Sequence, residues 1–178
     1  MELFQEHGYA RTMVDEIAVR AGLTERTFFR YFADKREVLF SRSKELEKVI
    51  VDRIASAPQE ASPLQAVAAA FEAAAAQIQE RTELRFVRAR HALVTQHAEI
   101  QERELIKLAS LAVAVTKALH VRGVSEPAAS LAAEAGIAVF KIAFERWVGE
   151  RKPRDFAAHI RATFDVLKAV AGQRKTPR

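Results

Sequence analysis

The sequence contains no cysteine, which excludes disulfides, thiolate metal sites and cysteine nucleophiles. Glycine (6) and proline (5) are scarce for 178 residues, too few for the turns of a β-sandwich or barrel. No apolar run approaches the roughly 18 to 20 residues needed to cross a bilayer, and no charged-then-apolar leader opens the chain. The expectation is a cytoplasmic protein with no membrane partner. Catalytic patterns are missing as well: there is no glycine-rich phosphate loop, no nucleophile elbow and no placed acid/base pair. The histidines His7, His91, His97, His120 and His159 include no pair at i,i+3 or i,i+4, the spacing that would put two zinc ligands on one helical face. Neither an enzyme, a metal nor a cofactor is expected.

What is present is helix-forming. Apolar residues make up 49% and charged ones 29%, and alanine-rich stretches such as 67–76 favour helix over strand. The expected fold class is all-α, with about nine helices. The net charge of +5 does not locate a nucleic-acid surface: residues 1–50 carry nine basic and nine acidic side chains, whereas 141–178 carry ten and four. A DNA site has to be argued from particular residues in a motif.

Two punctuated segments divide the helical text. The segment 56–63 holds two prolines that cannot sit inside a helix, and Ser62 before Pro63 reads as an N-cap with proline at the first helical position. Leu64, Val67, Ala68, Phe71, Ala75 and Ile78 then recur at helical spacing. Farther on, Arg122, Gly123 and Ser125 read as a basic last turn, a glycine stop and a cap. The helix that follows carries Leu131, Ala135, Ala138, Ile142 and Trp147. After a break from Gly149 to Pro153, a last helix from about Arg154 to Val170 places Phe156, Ile160, Phe164 and Leu167 on one stripe, ahead of a basic tail. Helices are also expected over 34–54, 82–97 and 99–121.

Residues 9–40 are the most informative. Ile17, Ala18, Ala21, Gly22, Leu23 and Phe28 fall at helix-turn-helix spacing: Ala18 is small where two helices cross, Gly22 supplies a positive φ at the turn, and Leu23 and Phe28 close the core between them. Thr24 caps the second helix. Its outer face displays Glu25, Arg26, Thr27, Arg30 and Tyr31, side chains that can reach base edges or phosphates in a major groove. Asp34 followed by Glu37 reads as a capping box for the next helix, with Lys35 in its first turn beside the DNA backbone.

Together these residues, with Gly8, Tyr9 and Thr12, resemble the DNA-binding domain of the tetracycline-repressor (TetR) family of bacterial transcription regulators. The resemblance covers nearly all of residues 3–40. It implies a DNA-binding domain at 1–48 and a helical ligand-binding and dimerisation domain at 49–178. It further implies that Arg26 and Thr27 face bases while Thr12, Tyr31 and Lys35 hold phosphates of a palindromic operator. Phe29 stands where the family usually has tyrosine and Met13 where a second threonine is common, so two polar backbone contacts are missing. Family members usually begin with a basic arm and further helix ahead of Leu3, Phe4 and His7, so the first helix is expected to be truncated here.

The same resemblance implies a homodimer joined by a four-helix bundle of the last two helices, with Phe156, Ile160, Phe164 and Leu167 in the interface. Residues 88–147 show a weaker likeness, of spacing more than motif, to a subgroup with acyl-CoA-like effectors, carried by the runs at 88–90, 102–105 and 145–147. Phe71, Phe86, Phe140, Phe144 and Trp147 are candidates to line an effector cavity, with small alanines at 73–76 and 132–133 leaving it room. Arg85 and Arg88 are candidates for effector phosphates. Aromatics at helical spacing also serve as plain core, and a basic helix face is commonly just solvated. The expected function is a repressor released from its operator by a small apolar effector. The alternative is a helical ligand- or partner-binding dimer with little specific DNA binding.

Overall fold

The computed structural model describes residues 1–151 and 155–172. Over these residues the chain forms nine α-helices and one 3-10 helix, with no strand. The helices are α1 (Glu2–His7), α2 (Val14–Arg20), α3 (Glu25–Tyr31), α4 (Ser43–Ala55), α5 (Pro63–Arg81), α6 (Leu84–Gln96), α7 (Ala98–Val121), α8 (Ala128–Gly149) and α9 (Phe156–Gly172). The 3-10 helix spans Lys35–Phe40. The expected break at Pro153, the helix start at Arg154 and the basic tail beyond Gly172 lie outside the described residues. Contacts divide the chain into two compact units, residues 1–44 with 84–107 and residues 45–83 with 108–178.

Helix boundaries follow local chemistry. Ser62 accepts a hydrogen bond from Gln65 N (3.3 Å) while the Gln65 side chain accepts from Ser62 N (2.8 Å), a complete capping box ahead of Pro63. Two expectations fail for identifiable reasons. The single helix expected over 34–54 is a 3-10 turn followed by α4. The Asp34 carboxylate accepts from Arg36 N (2.7 Å), whereas the Glu37 carboxylate is taken by Arg103 and by Lys107 (3.2 Å), so no capping box forms. Ser125 likewise does not cap α8 with its side chain: the Glu126 carboxylate fills that place, accepting from Ser130 N (3.4 Å) and from Ser130 Oγ (2.8 Å).

In the first unit, Phe4, Tyr9, Leu39, Phe40, Val94 and Ile100 form a buried core, with Met1, Ile17 and Leu93 packed against it. Polar contacts tie residues 84–107 to the N-terminal segment. Arg90 Nε donates to Leu39 O (2.9 Å) and its guanidinium pairs with Glu104 (2.6 Å). Glu37 is held by Arg103 and Lys107, and these contacts, the Arg103 hydrogen bond foremost, hold its carboxyl below the ordinary glutamate range. Asp34 is lowered too, chiefly by its hydrogen bond from the Arg36 side chain.

In the second unit, α5, α8 and α9 pack on one another. Close approach depends on small residues: Ala66, Ala70 and Ala74 of α5 and Ala129, Ala133 and Ala143 of α8 are buried. A Cβ at Gly136 would lie 2.5 Å from Val67 Cγ1 and 2.8 Å from Phe71 Cε2, so glycine is required for this approach of α8 to α5. Arg122 donates to Ile54 O (3.1 Å), Ala57 O (2.6 Å) and Pro58 O (2.7 Å), carbonyls at and beyond the end of α4.

Two stability outcomes follow from this packing. Gly136→Ala should cost about 1 to 3 kcal/mol through overpacking, read as a lower urea midpoint; an unchanged midpoint would show that Val67 and Phe71 can move aside. For Glu37 the lowered native pKa means that its contribution is present above the ordinary value of 4.5 and is lost as pH falls through the native value. The wild type should therefore lose more stability between about pH 6 and pH 3 than Glu37→Gln does, and equal losses in the two proteins would count against the Arg103 and Lys107 pairing.

Candidate nucleic-acid interface

The helix-turn-helix forms as its spacing requires. Ala18 is buried where α2 meets α3, Gly22 adopts φ 67°, and Leu23 N donates to Ala18 O (2.8 Å) to close the turn. Phe28 is buried and meets Phe32 and Phe29 at 5.2 and 5.6 Å between ring centroids. Leu23 is partly exposed, so this small core rests more on Phe28.

Thr24 caps α3 by accepting from Thr27 N (3.2 Å), and the two hydroxyls lie 3.0 Å apart. The outer face of α3 is open to solvent: Glu25, Arg26, Phe29, Arg30 and Tyr31 are exposed, and Thr27 is half-buried. Arg30 Nη2 donates to Tyr31 Oη (3.0 Å), and its guanidinium carbon lies 4.8 Å from the Tyr31 ring centroid. The Tyr31 oxygen acts as acceptor in this pair and keeps its own proton to donate elsewhere. Among the described residues Arg26 has no hydrogen-bond or ion-pair partner, so all of its guanidinium donors remain free.

Two residues expected at phosphates are placed otherwise. Thr12 is fully buried (0% exposed), with its hydroxyl 2.8 Å from Gly8 O and 3.2 Å from Leu3 O. It ties the end of α1 to the segment before α2, and no ligand in solution reaches it. The Lys35 ammonium is also turned inward, donating to Tyr9 O (2.7 Å), Thr12 O (3.0 Å) and Ala10 O (3.2 Å). The reason is topological: the chain between α1 and α2 exposes carbonyls that no helix satisfies, and the turn after α3 passes beside them. Nothing in the local sequence signals the Lys35 bonds, because the whole of α2 and α3 separates the lysine from its acceptors.

The supports of α1 and α2 are largely ionic. Arg20 pairs with Glu2 (3.2 Å) and Glu6 (3.1 Å), and His7 Nδ1 lies 3.4 Å from Glu16. Glu16 also accepts from Met13 N (2.8 Å), half of a capping box whose other half is missing because Met13 carries no side-chain oxygen.

The expected effector residues are divided between the two units. Phe71, Phe140, Phe144 and Trp147 lie in the second unit, and Arg85, Phe86 and Arg88 lie on α6 in the first. The first four pack on one another and on Phe156, with Trp147 stacked on Phe156 at 4.5 Å and 10° and Phe140 at 5.7 Å from both Phe71 and Phe156. Phe71, Trp147 and Phe156 are buried, while Phe140 and Phe144 are half-buried. Ala74, Ala75, Ala132 and Ala133 are themselves buried. Arg85 lies over the Phe86 ring at 4.7 Å. Among the described residues no three His, Asp or Glu side chains gather in a way that could hold a metal ion, and no helix is long and apolar enough to cross a membrane.

The expected dimer residues lie largely inside the single chain. Phe156, Ile160 and Phe164 are fully buried within the single chain and Leu167 is half-buried, because α9 turns its most apolar stripe onto α5 and α8. The residues read along α8 do not share one environment: Trp147 is buried and Ala138 exposed. Leu131 (67% exposed) and Ile142 (50%) lie open on α8, as do Val166 (55%) and Val170 (68%) on α9.

Comparison with known proteins agrees with this geometry. TcmR, an HTH-type transcriptional regulator of Streptomyces glaucescens, is 34% identical over 80 residues, which cover 45% of this chain and 35% of TcmR. MftR of Mycobacterium tuberculosis, a putative mycofactocin biosynthesis transcriptional regulator, is 47% identical over 38 residues, covering 21% of this chain and 19% of MftR. The chain thus matches about a third of the length of one curated relative and a fifth of the other. In fold it is similar to Thermus thermophilus FadR, a TetR family repressor solved in complex with lauroyl-CoA, with a TM-score of 0.58 and 21% identity over 100% of this chain and 94% of that one. It is also similar to PfmR, another TetR family regulator of Thermus thermophilus, with a TM-score of 0.50 and 22% identity over 98% of this chain and 96% of that one. Residues 1–41, which hold α1, α2, α3 and the turn after them, match the bacterial regulatory proteins of the tetR family.

Proposed function

We propose that this protein is a DNA-binding transcriptional repressor that works as a homodimer, presenting α3 of each subunit to successive major grooves of a palindromic operator, about 34 Å apart. The observation that carries the reading is the open face of α3. Arg26 stands near its capped N-terminus with no internal partner among the described residues, beside Glu25, Thr27 and the Arg30–Tyr31 pair. Free donors at the start of a helix suit base edges, and a guanidinium suits the O6 and N7 of guanine. Arg30 and Tyr31 suit the adjoining phosphates. Phe29, exposed but without a polar atom, adds none.

The second copy is assigned to the outer faces of α8 and α9. Leu131, Ala138 and Ile142 on α8, spaced by seven and four residues, and Ala162, Val166 and Val170 on α9, spaced by four, are all exposed, as in the seam of a four-helix bundle. A small apolar effector that favours subunits with misplaced recognition helices would release the operator by population shift. An acyl-CoA is the candidate, as for the similarly folded FadR. For this chain the support is limited to Phe140 and Phe144, which are incompletely covered beside the aromatic core.

Fluorescence anisotropy with the DNA flanking the gene tests the DNA reading. Wild type should prefer one palindrome over random duplex, and Arg26→Ala should lose roughly 1 to 3 kcal/mol on that palindrome with little change on random DNA. Uniform weak binding by the wild type would overturn the repressor reading, and equal losses on both DNAs would remove Arg26 from base reading. Sedimentation tests the dimer. Ile142→Arg should yield a folded monomer because it places an unpaired charge in the seam, whereas Phe164→Arg should unfold the second unit; a dimer that persists in Ile142→Arg excludes this face.

A further inference from the structure

We propose that Lys35 is a positioning residue that closes the helix-turn-helix from within and does not contact DNA phosphate. The proposal rests on the DNA-binding reading above and adds how the reading surface is held. An ammonium has three N–H donors, and the Lys35 Nζ directs them to three carbonyls, Tyr9 O at 2.7 Å, Thr12 O at 3.0 Å and Ala10 O at 3.2 Å. No donor remains for a phosphate. The three acceptors lie in the stretch between the end of α1 at His7 and the start of α2 at Val14, and Lys35 lies just after α3. The clamp therefore joins the two ends of the segment that contains α2, the turn and α3.

Its surroundings hold the lysine in this orientation. Nζ lies 4.6 Å from the Tyr9 ring centroid, a cation–π contact, and that ring is itself fixed by Phe4 at 5.5 Å and His97 at 4.8 Å. Asp34 fixes the turn on the other side, accepting from Arg36 N at 2.7 Å and pairing with the Arg36 side chain. Thr12, whose carbonyl is one of the three acceptors, is anchored in turn through its buried hydroxyl to Gly8 O and Leu3 O. The bonds to Tyr9 and Thr12 are partly buried, so moving Nζ out to a phosphate would strip acceptors that water only partly reaches.

The clamp also depends on the shape of the cation. Three carbonyls converging on one nitrogen suit an ammonium, whereas a planar guanidinium spreads its donors in a fork and cannot meet all three. Lys35→Arg keeps the charge that a phosphate contact needs and loses the geometry that the clamp needs. That separates the two roles.

The experiment measures thermal midpoint and operator affinity as a function of salt, below the melting range, for wild type, Lys35→Ala and Lys35→Arg. The clamp predicts a lower midpoint for both variants and a loss of operator affinity of roughly tenfold for both, larger than the loss on random DNA. It predicts an unchanged slope of log affinity against log salt. A phosphate contact predicts instead that Lys35→Arg behaves as wild type and that Lys35→Ala flattens the slope of the dimer by about 1.8, one contact per subunit; that result, with unchanged midpoints, overturns the proposal. If the wild type shows no preference for any palindrome, the repressor reading fails on its own account. The midpoints then still decide: lowered in both variants they support the clamp, and unchanged they refute it.

Discussion

Backbone carbonyls left over by short helices are the constraint on which the N-terminal unit depends. A helix leaves four carbonyls unpaired at its end, so in α1, α2 and α3, of six, seven and seven residues, most of the acceptors have no partner within the helix. Side-chain donors meet some of these carbonyls and others in the connections between the helices. Arg11 Nε donates to His7 O at 2.9 Å, the Thr12 hydroxyl to Gly8 O, Arg90 to Leu39 O, and Lys35 to three carbonyls before α2. These are mostly charged donors, whose hydrogen bonds are roughly twice as strong as neutral ones. They hold three helices that are each too short to be stable alone.

This use of cations bears on DNA binding. Within residues 1–50 the basic and acidic side chains are equal in number, and several of the basic ones are committed inside the fold: Arg20 to Glu2 and Glu6, Arg36 to Asp34, Lys35 to carbonyls. Arg26, without a partner among the described residues, is left as a free cation on α3. In the proposed repressor such a surface would favour reading bases over general attraction to phosphate, since counterion release scales with the number of phosphates neutralised.

The second unit follows a different rule, set by helix surfaces in place of helix ends. Alanines and Gly136 let α5 and α8 approach closely, and α9 covers both with Phe156, Ile160 and Phe164. Because α8 is apolar on more than one side, burying one stripe leaves Leu131 and Ile142 outside. A helix with apolar residues on more than one side keeps some of them exposed when only one face is packed.

The all-α class, the caps at Ser62 and Thr24, the positive φ at Gly22 and the open face of α3 were legible from the residues. Each depends on chemistry within about four positions: proline geometry, a hydroxyl near an orphan N–H, a missing Cβ, a helical period. The inward turn of Lys35 and Thr12, the hold of Arg103 and Lys107 on Glu37, and the joining of residues 84–107 to the N-terminal unit were not legible, because most of their partners are far apart in sequence and the local pattern of a buried cation matches that of a solvated one. The stripes of α8 and α9 were visible as stripes, but which of them faced the core was decided by packing. Periodicity states that a helix has an apolar face; only the arrangement of α5, α8 and α9 in three dimensions selects which face each one buries.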